Sequence, residues 1–197
     1  MKGGRVNYIT TFIGGRGKGK TDTLKSLIKS SNLPKTLIVD VYDNPVWHDM
    51  ETHDDPGGAN IKVPIITIEQ LPYWKSGTYR IFGSNMEEIK AAIDQNLKNC
   101  FLIWEDATKY FKSQLTKVEQ RSLYDTKQKN IDSIYVFHSF RKTTVEVLEN
   151  CDILLLKKTG DSRTLVNSKF QNPDVTALFD HVKEQKDKYY TTSIFVN

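Results

Sequence analysis

The octapeptide Gly14-Gly15-Arg16-Gly17-Lys18-Gly19-Lys20-Thr21 constrains this chain more than any other feature, because an apolar run, Tyr8–Ile13, precedes it and an amphipathic one, Thr21–Ser30, follows. A glycine-rich turn between strand and helix lets backbone N–H groups converge on an anion while the helix directs its positive end to the same point. The pattern G-x-x-x-x-G-K-[ST], the Walker A loop, is met at every fixed position. At average residue frequencies a chain of this length matches it by chance about once in a hundred sequences. The expected ligands are ATP and Mg²⁺: Lys20 reaches the β- and γ-phosphates and the Thr21 hydroxyl holds the metal. Gly15, Arg16, Gly17, Lys18 and Gly19 shape the loop, and Asp22 completes the nucleotide-binding set at the helix start.

The rest of the chain repeats this alternation of short apolar and longer amphipathic segments, which predicts an α/β domain on a mainly parallel sheet. Strands are expected at Tyr8–Ile13, Thr36–Val41, Tyr79–Phe82, Cys100–Trp104, Ser133–His138 and Asp152–Leu156, with a peripheral one at Pro64–Ile68. Helices are expected at Thr21–Ser30, at Met86–Leu97 behind Ser84 and Asn85, at Ser113–Lys129, and from Pro173 to Lys186 with Asn172 as N-cap. The tail TTSIFVN suits an edge strand. Residues 1–197 are expected to form one domain, with a core over about 7–165 and a C-terminal helix and tail over 172–197.

A second chemical site ends the run Phe101-Leu102-Ile103-Trp104, where a buried strand delivers Glu105 and Asp106 in the manner of a Walker B motif. Glu105 takes the metal role and Asp106 the general-base role, an order reversed from the commoner Asp-Glu, so the two can also exchange roles. The next apolar run carries His138, Ser139 and, just beyond, Arg141 at the end where sheet ligands bind. His138 or Ser139 can sense a γ-phosphate by hydrogen bonding.

Composition narrows the alternatives. No apolar run approaches the roughly 18 residues of a membrane helix, and the first residues lack the features of a signal peptide, so a soluble, unexported protein is expected. Cys100 and Cys151 flank apolar runs and read as small buried hydrophobes. The segment Asp43–Lys62 reads as a long loop; its His48, Asp49, Glu51, His53, Asp54 and Asp55 lack metal-site spacing. A net charge of +4 is compatible with polyanion contact without demanding it.

With the glycine loop, the acidic pair and the sensor strand in this order, the chain resembles the HerA/FtsK superfamily of P-loop ATPases over about Tyr8 to Leu165. Within it, the small size looks most like the genome-packaging ATPases of tailless icosahedral viruses with internal membranes. The resemblance implies a RecA-like P-loop fold, ATP hydrolysis, a homo-oligomeric ring, double-stranded DNA as the translocated partner, and capsid or membrane-vertex proteins as further partners. It also implies a location in the host cytoplasm or the virion. A cation acting on a neighbouring subunit's nucleotide is expected among Lys127, Arg121, Arg141 and Arg163. Lys109, Lys112, Lys117, Lys127 and Lys129, with Tyr110 and Phe111 nearby, form either a DNA-contacting stretch or a solvated helical face. The competing resemblance is to zonula-occludens-toxin-like ATPases of filamentous phages, which usually carry a transmembrane segment; a small P-loop kinase and a noncatalytic nucleotide switch are the alternative functions.

Overall fold

The computed structural model describes residues 7–31, 33–40, 42–48, 63–112 and 114–196. Among these, seven strands form one sheet: β1 (Ile9–Ile13), β2 (Lys35–Val39), β3 (Gly77–Ile81), β4 (Cys100–Trp104), β5 (Ile131–Phe137), β6 (Ile153–Leu156) and β7 (Thr192–Phe195). Their order is β3-β2-β4-β5-β1-β6-β7, and every pairing is parallel except that of β7 with β6. Parallel pairing brings the carboxyl ends of β1, β2, β4, β5 and β6 to one edge, so residues far apart in sequence meet there.

The apolar runs are continuous because the central strands are covered on both faces. Phe12, Ile38, Phe101, Ile103, Ile134 and Val136 point to one face, where Leu24 and Ile28 of α1 (Lys20–Ser30) cover them together with Trp47 and Val63. The alternate positions, including Ile13, Val39, Leu102, Trp104, Tyr135 and Phe137, point to the other. There they meet α2 (Met86–Asn96), α3 (Lys117–Tyr124), α4 (Val145–Glu149), α5 (Arg163–Phe170) and α6 (Pro173–Glu184). Each fully buried Leu, Ile or Phe contributes roughly 1.5–3 kcal/mol, so these two apolar layers hold the sheet edge in place.

Several sequence expectations shift by a residue or two at element ends, and some change kind. The segment Pro64–Ile68 makes only a single parallel bridge, Ile65 with Arg80, and continues into a 3₁₀ turn over Ile68–Tyr73. Proline at 64 cannot donate to a ladder, which keeps the pairing this short. The helix expected over Ser113–Lys129 is confined to α3; Ser113 lies outside the described residues. Thr116 starts α3 with a capping box to Glu119, and after Asp125 the chain turns through Asn130, at φ 53°, into β5. Helices α4 and α5 were not expected. Asn85 and Asn172 cap α2 and α6, Pro173 occupies the first turn of α6, and the tail forms the edge strand β7. Val41, and all of the acidic loop residues 49–62, lie outside the described residues.

Cys100 and Cys151 are buried and form no disulfide. Tyr110 and Phe111 are core residues packed against Trp104, the first tilted and the second edge-on, with ring centroids 5.9 and 5.0 Å away, so neither belongs to a nucleic-acid surface. Lys129 is likewise engaged, bonding the Asp94 carboxylate at 2.7 Å. Among the described residues, no helix is long and apolar enough to cross a membrane.

Candidate functional site

Gly14 leaves β1 where its N–H donates to Phe137 O of β5, and the Gly15 N–H donates to Lys158 O beyond β6. A side chain at Gly14 would meet Lys157 Cβ at 2.9 Å, so the loop can pass between the two flanking strands only with glycine there. Gly19, at φ 70°, then turns the chain into α1 in the left-handed conformation that glycine adopts without strain. The first turn of α1 therefore opens with unpaired N–H groups toward the sheet edge.

A cleft of about 530 Å³ lies over this loop, and its walls include Arg16, Gly17, Lys18, Gly19, Lys20, Thr21, Asp22, Glu105, Asp106 and His138. The structure thus brings together three segments that the sequence singled out. Gly15 stands behind the loop, its carbonyl accepting from Lys20 Nζ at 3.1 Å. Lys20 also donates to Gly14 O at 2.7 Å and meets His138 Nδ1 at 3.0 Å. Burial lowers the Lys20 ammonium to about 8, with Asp106 and Glu105 opposing the shift.

Glu105 and Asp106 diverge. Glu105 accepts from the Thr21 hydroxyl at 3.4 Å and from the buried Trp47 indole N–H. Burial raises its carboxyl to about 7; the Trp47 and Thr21 hydrogen bonds oppose this, and the charges of Asp40 and Asp106 add to it. Asp106 stands at φ 52° and turns away toward His138 Nε2 at 3.5 Å, Thr108 Oγ1 at 2.5 Å and Lys109 Nζ at 2.9 Å. Burial pushes its carboxyl up, but these partners outweigh it and hold Asp106 well below the usual carboxylate range.

Three participants escaped the sequence reading. Asp40 follows β2 as Glu105 follows β4, and the same rule of a carboxylate closing an apolar run would have found it. It accepts from the N–H groups of Tyr42 and Asn44 at 3.2 and 2.7 Å. Arg80, fully buried, reaches Asp40 at 3.3 Å and Asp43 at 2.7 Å and so fixes the turn that carries Trp47 onto Glu105. Trp47 is a lone large apolar side chain in a polar segment, a composition that signals an anchor.

Other expected residues stand apart from this cleft. Ser139 lines neither it nor its neighbour, whereas His138 lines both. Arg121 pairs with Asp94 at 3.1 Å and Arg163 with Asp180 at 2.7 Å. Lys127 is exposed in the turn entering β5, at the opposite edge of the sheet from the loop. Arg141 lines a second cleft, of about 440 Å³, that shares Arg16, Asp106, Lys109 and His138 with the first.

A mainly parallel sheet with flanking helices and a glycine loop leading from β1 into α1 defines the P-loop NTPase fold. No protein-family model matches the chain, and no curated protein matches it. Solved structures do. The chain is similar to the genome packaging NTPase B204 from Sulfolobus turreted icosahedral virus 2 in complex with AMPPCP, at 14% identity and a TM-score of 0.70, over 97% of this chain and 93% of that one. The same NTPase in complex with ATP-gammaS matches at 13% identity and a TM-score of 0.69, over 97% and 93%. B204, the DNA-packaging ATPase from Sulfolobus Turreted Icosahedral Virus, matches at 14% identity and 0.66, over 96% and 93%. At this identity the likeness is one of fold.

Proposed function

We propose that this chain is a Mg²⁺-dependent ATPase that drives packaging of viral double-stranded DNA as a homo-oligomeric ring of the HerA/FtsK type. The observation that carries the reading is the convergence of Lys20, Thr21, Glu105, Asp106 and His138 on one cleft at the carboxyl edge of the sheet. The similarity to packaging NTPases over nearly the whole of both chains supports the biological role. The role places the protein in the host cytoplasm or the virion, with capsid or membrane-vertex proteins as partners.

The site fits Mg²⁺. Glu105 is a buried carboxylate beside a hydroxyl donor, raised in pKa by burial and by neighbouring acids, which is where a divalent cation relieves charge. Thr21 and Glu105 would hold it. Bound there, the metal would supply neutralisation of phosphate charge during transfer.

The chain's own residues do the remainder. Lys20 exchanges the carbonyls of Gly14 and Gly15 for phosphate oxygens, and the arriving negative charge favours its protonated form. N–H groups of the loop and of the first turn of α1 orient the phosphates. Asp106, firmly ionised, positions the attacking water rather than strongly deprotonating it, which suffices for a loose phosphoryl-transfer transition state. His138 bridges Lys20 and Asp106 and so reports phosphate arrival to the water-positioning carboxylate. Arg141, beside this site in the adjoining cleft, is the favoured cation for completing a neighbouring subunit's site across the ring.

The test is steady-state ATP hydrolysis with and without long double-stranded DNA and Mg²⁺, with assembly state monitored. Turnover is expected to require Mg²⁺, to rise with DNA, and to vanish in Lys20→Ala and Asp106→Asn, the latter still binding ATP. Tight ATP binding without turnover in an assembled ring on DNA would overturn the motor reading in favour of a nucleotide switch.

A further inference from the structure

The proposed site accounts for the phosphate end of a nucleotide and leaves the base without a partner. The sheet order fixes where that base must go. Glu105, Asp106 and His138 follow β4 and β5, on one side of β1, so the terminal phosphate points that way. The nucleoside end then extends past Thr21 and Asp22 to the other side of β1, over β6.

That side is covered by the connector between α6 and β7, and two consecutive lysines after β6 hold it down. Lys157 Nζ donates to Tyr189 O at 2.6 Å, and Lys158 Nζ donates to Gln185 O. Lys158 also accepts the Gly15 N–H at 2.8 Å through its carbonyl, so connector and glycine loop share one support. Tyr189 is further fixed by its N–H to Asp187 at 2.8 Å. Its ring edge lies against Gly19, with Cδ1 3.1 Å from where a Cβ would stand, yet the residue remains 50% exposed. The Asp22 carboxylate adjoins the same glycine. An aromatic ring pinned through its backbone beside the phosphate loop, with much of its surface in solvent, is unusual for a side chain with only a packing role. The exposed Lys188 ammonium lies over one face of the ring at 4.7 Å, so a stacking base would displace this cation or take the opposite face.

From this arrangement, and resting on the ATPase reading above, we propose that Tyr189 is the platform on which the base of the bound nucleoside triphosphate stacks. Tyr189 borders the phosphate cleft at Gly19 without lining it; the exposed aromatic that does line it, Tyr42, follows β2 beyond Asp40 and lies on the terminal-phosphate side of Thr21, the wrong end for the base. Stacking uses a π-face that every base has, so the platform selects for the presence of a base more than for its identity.

Calorimetric titration of the full chain with Mg-ATP and with Mg-tripolyphosphate, which carries the phosphates without a base, tests the assignment. Wild type is expected to bind ATP more tightly than tripolyphosphate. Tyr189→Ala is expected to weaken ATP binding about tenfold or more, the size of a base–aromatic stack, and to leave tripolyphosphate binding unchanged. Tyr189→Phe should retain the ratio, Tyr189→Leu should lose it while keeping an apolar side chain against Gly19, and Tyr42→Ala should keep it. Equal weakening of both ligands in Tyr189→Ala and Tyr189→Leu would make the residue a support for the loop and overturn the inference, as would an ATP affinity that survives loss of the ring or falls in Tyr42→Ala instead. Wild-type protein that binds neither ligand would overturn the nucleotide reading itself, and the platform with it.

Discussion

Replacing Glu105 with glutamine should make the nucleotide-free protein more stable, and the gain should depend on pH in a defined way. The native carboxyl is raised from an ordinary 4.5 to about 7 by burial among Asp40, Asp106 and apolar walls. Below pH 4.5 both folded and unfolded chains hold the proton, and the stability that protonation confers is fully present. As pH rises through 7 the native state must ionise a buried group, and that contribution is lost. At 1.36 kcal/mol per pH unit, the difference between 4.5 and about 7 is worth about 3 kcal/mol. Glutamine stays neutral, still accepts from the Trp47 indole through its amide oxygen, and avoids this cost. Glu105→Gln should therefore exceed wild type by about 3 kcal/mol at pH 8, roughly 6–12 °C in Tm for a chain of this size, and by almost nothing at pH 4.5. Urea denaturation without nucleotide or divalent metal, across pH 4.5 to 8.5, measures the gap directly. A variant no more stable than wild type at pH 8, or a gap that fails to close on acidification, would refute the claim that burial holds this carboxyl in an unfavourable charged state. The same variant should bind Mg-ATP poorly, so that a residue lowering apo stability is retained for the ligand it serves.

Because burial lowers Lys20 to about 8 and phosphates favour its charged form, ATP binding at pH 8 should take up about half a proton, and almost none at pH 6; calorimetry in buffers of different ionisation enthalpy reads this out. Arg80→Leu should destabilise the fold by about 3–5 kcal/mol in urea denaturation, since it leaves the buried Asp40 carboxylate without its cation. Burial raises the Cys100 thiol to about 12 and the Cys151 thiol to about 11, so a colorimetric thiol reagent at pH 8 should label neither in the native protein and both in urea.

What was legible in the sequence is what is encoded locally. The glycine loop states its own spacing, and the alternation of short apolar with amphipathic segments reproduces β1, β2, β4, β5 and β6 because strands buried on both faces read as continuous apolar runs. The acidic pair is legible for the same reason, as charge that abruptly ends such a run. The helices α4 and α5 are not, being short and stabilised by contacts to α6 and to each other more than by their own periodicity. Nor are the groups that tune the site. Trp47 meets Glu105 across 58 residues and Arg80 meets Asp40 across 40, and each pair exists only because parallel strands end at one edge. Tyr110 and Phe111 misled in the opposite direction. Set among lysines they read as surface, whereas the 3₁₀ turn after Asp106 folds them back onto Trp104 and sends the Tyr110 hydroxyl to Val39 O at 3.1 Å.

The reversed order of the acidic pair has its physical reason in the backbone. Glu105 follows the last residue of β4 directly and needs the longer side chain to span from the strand end to the Thr21 hydroxyl. Asp106 occupies the left-handed region, where a β-carbon is crowded and where, after glycine, aspartate and asparagine are best tolerated because their short side chains bond locally. Its contacts to Thr108 and Lys109 are local bonds of this kind, and they stabilise the turn that aims it at His138. With Asp first and Glu second, the shorter carboxylate would fall back from Thr21, and the longer one would enter a strained position that its side chain is too long to satisfy through the same short bonds. The order Glu-Asp is therefore set by the turn, and it separates two neighbouring carboxylates into one raised to about 7 beside the phosphate-binding helix and one held firmly ionised beside the histidine.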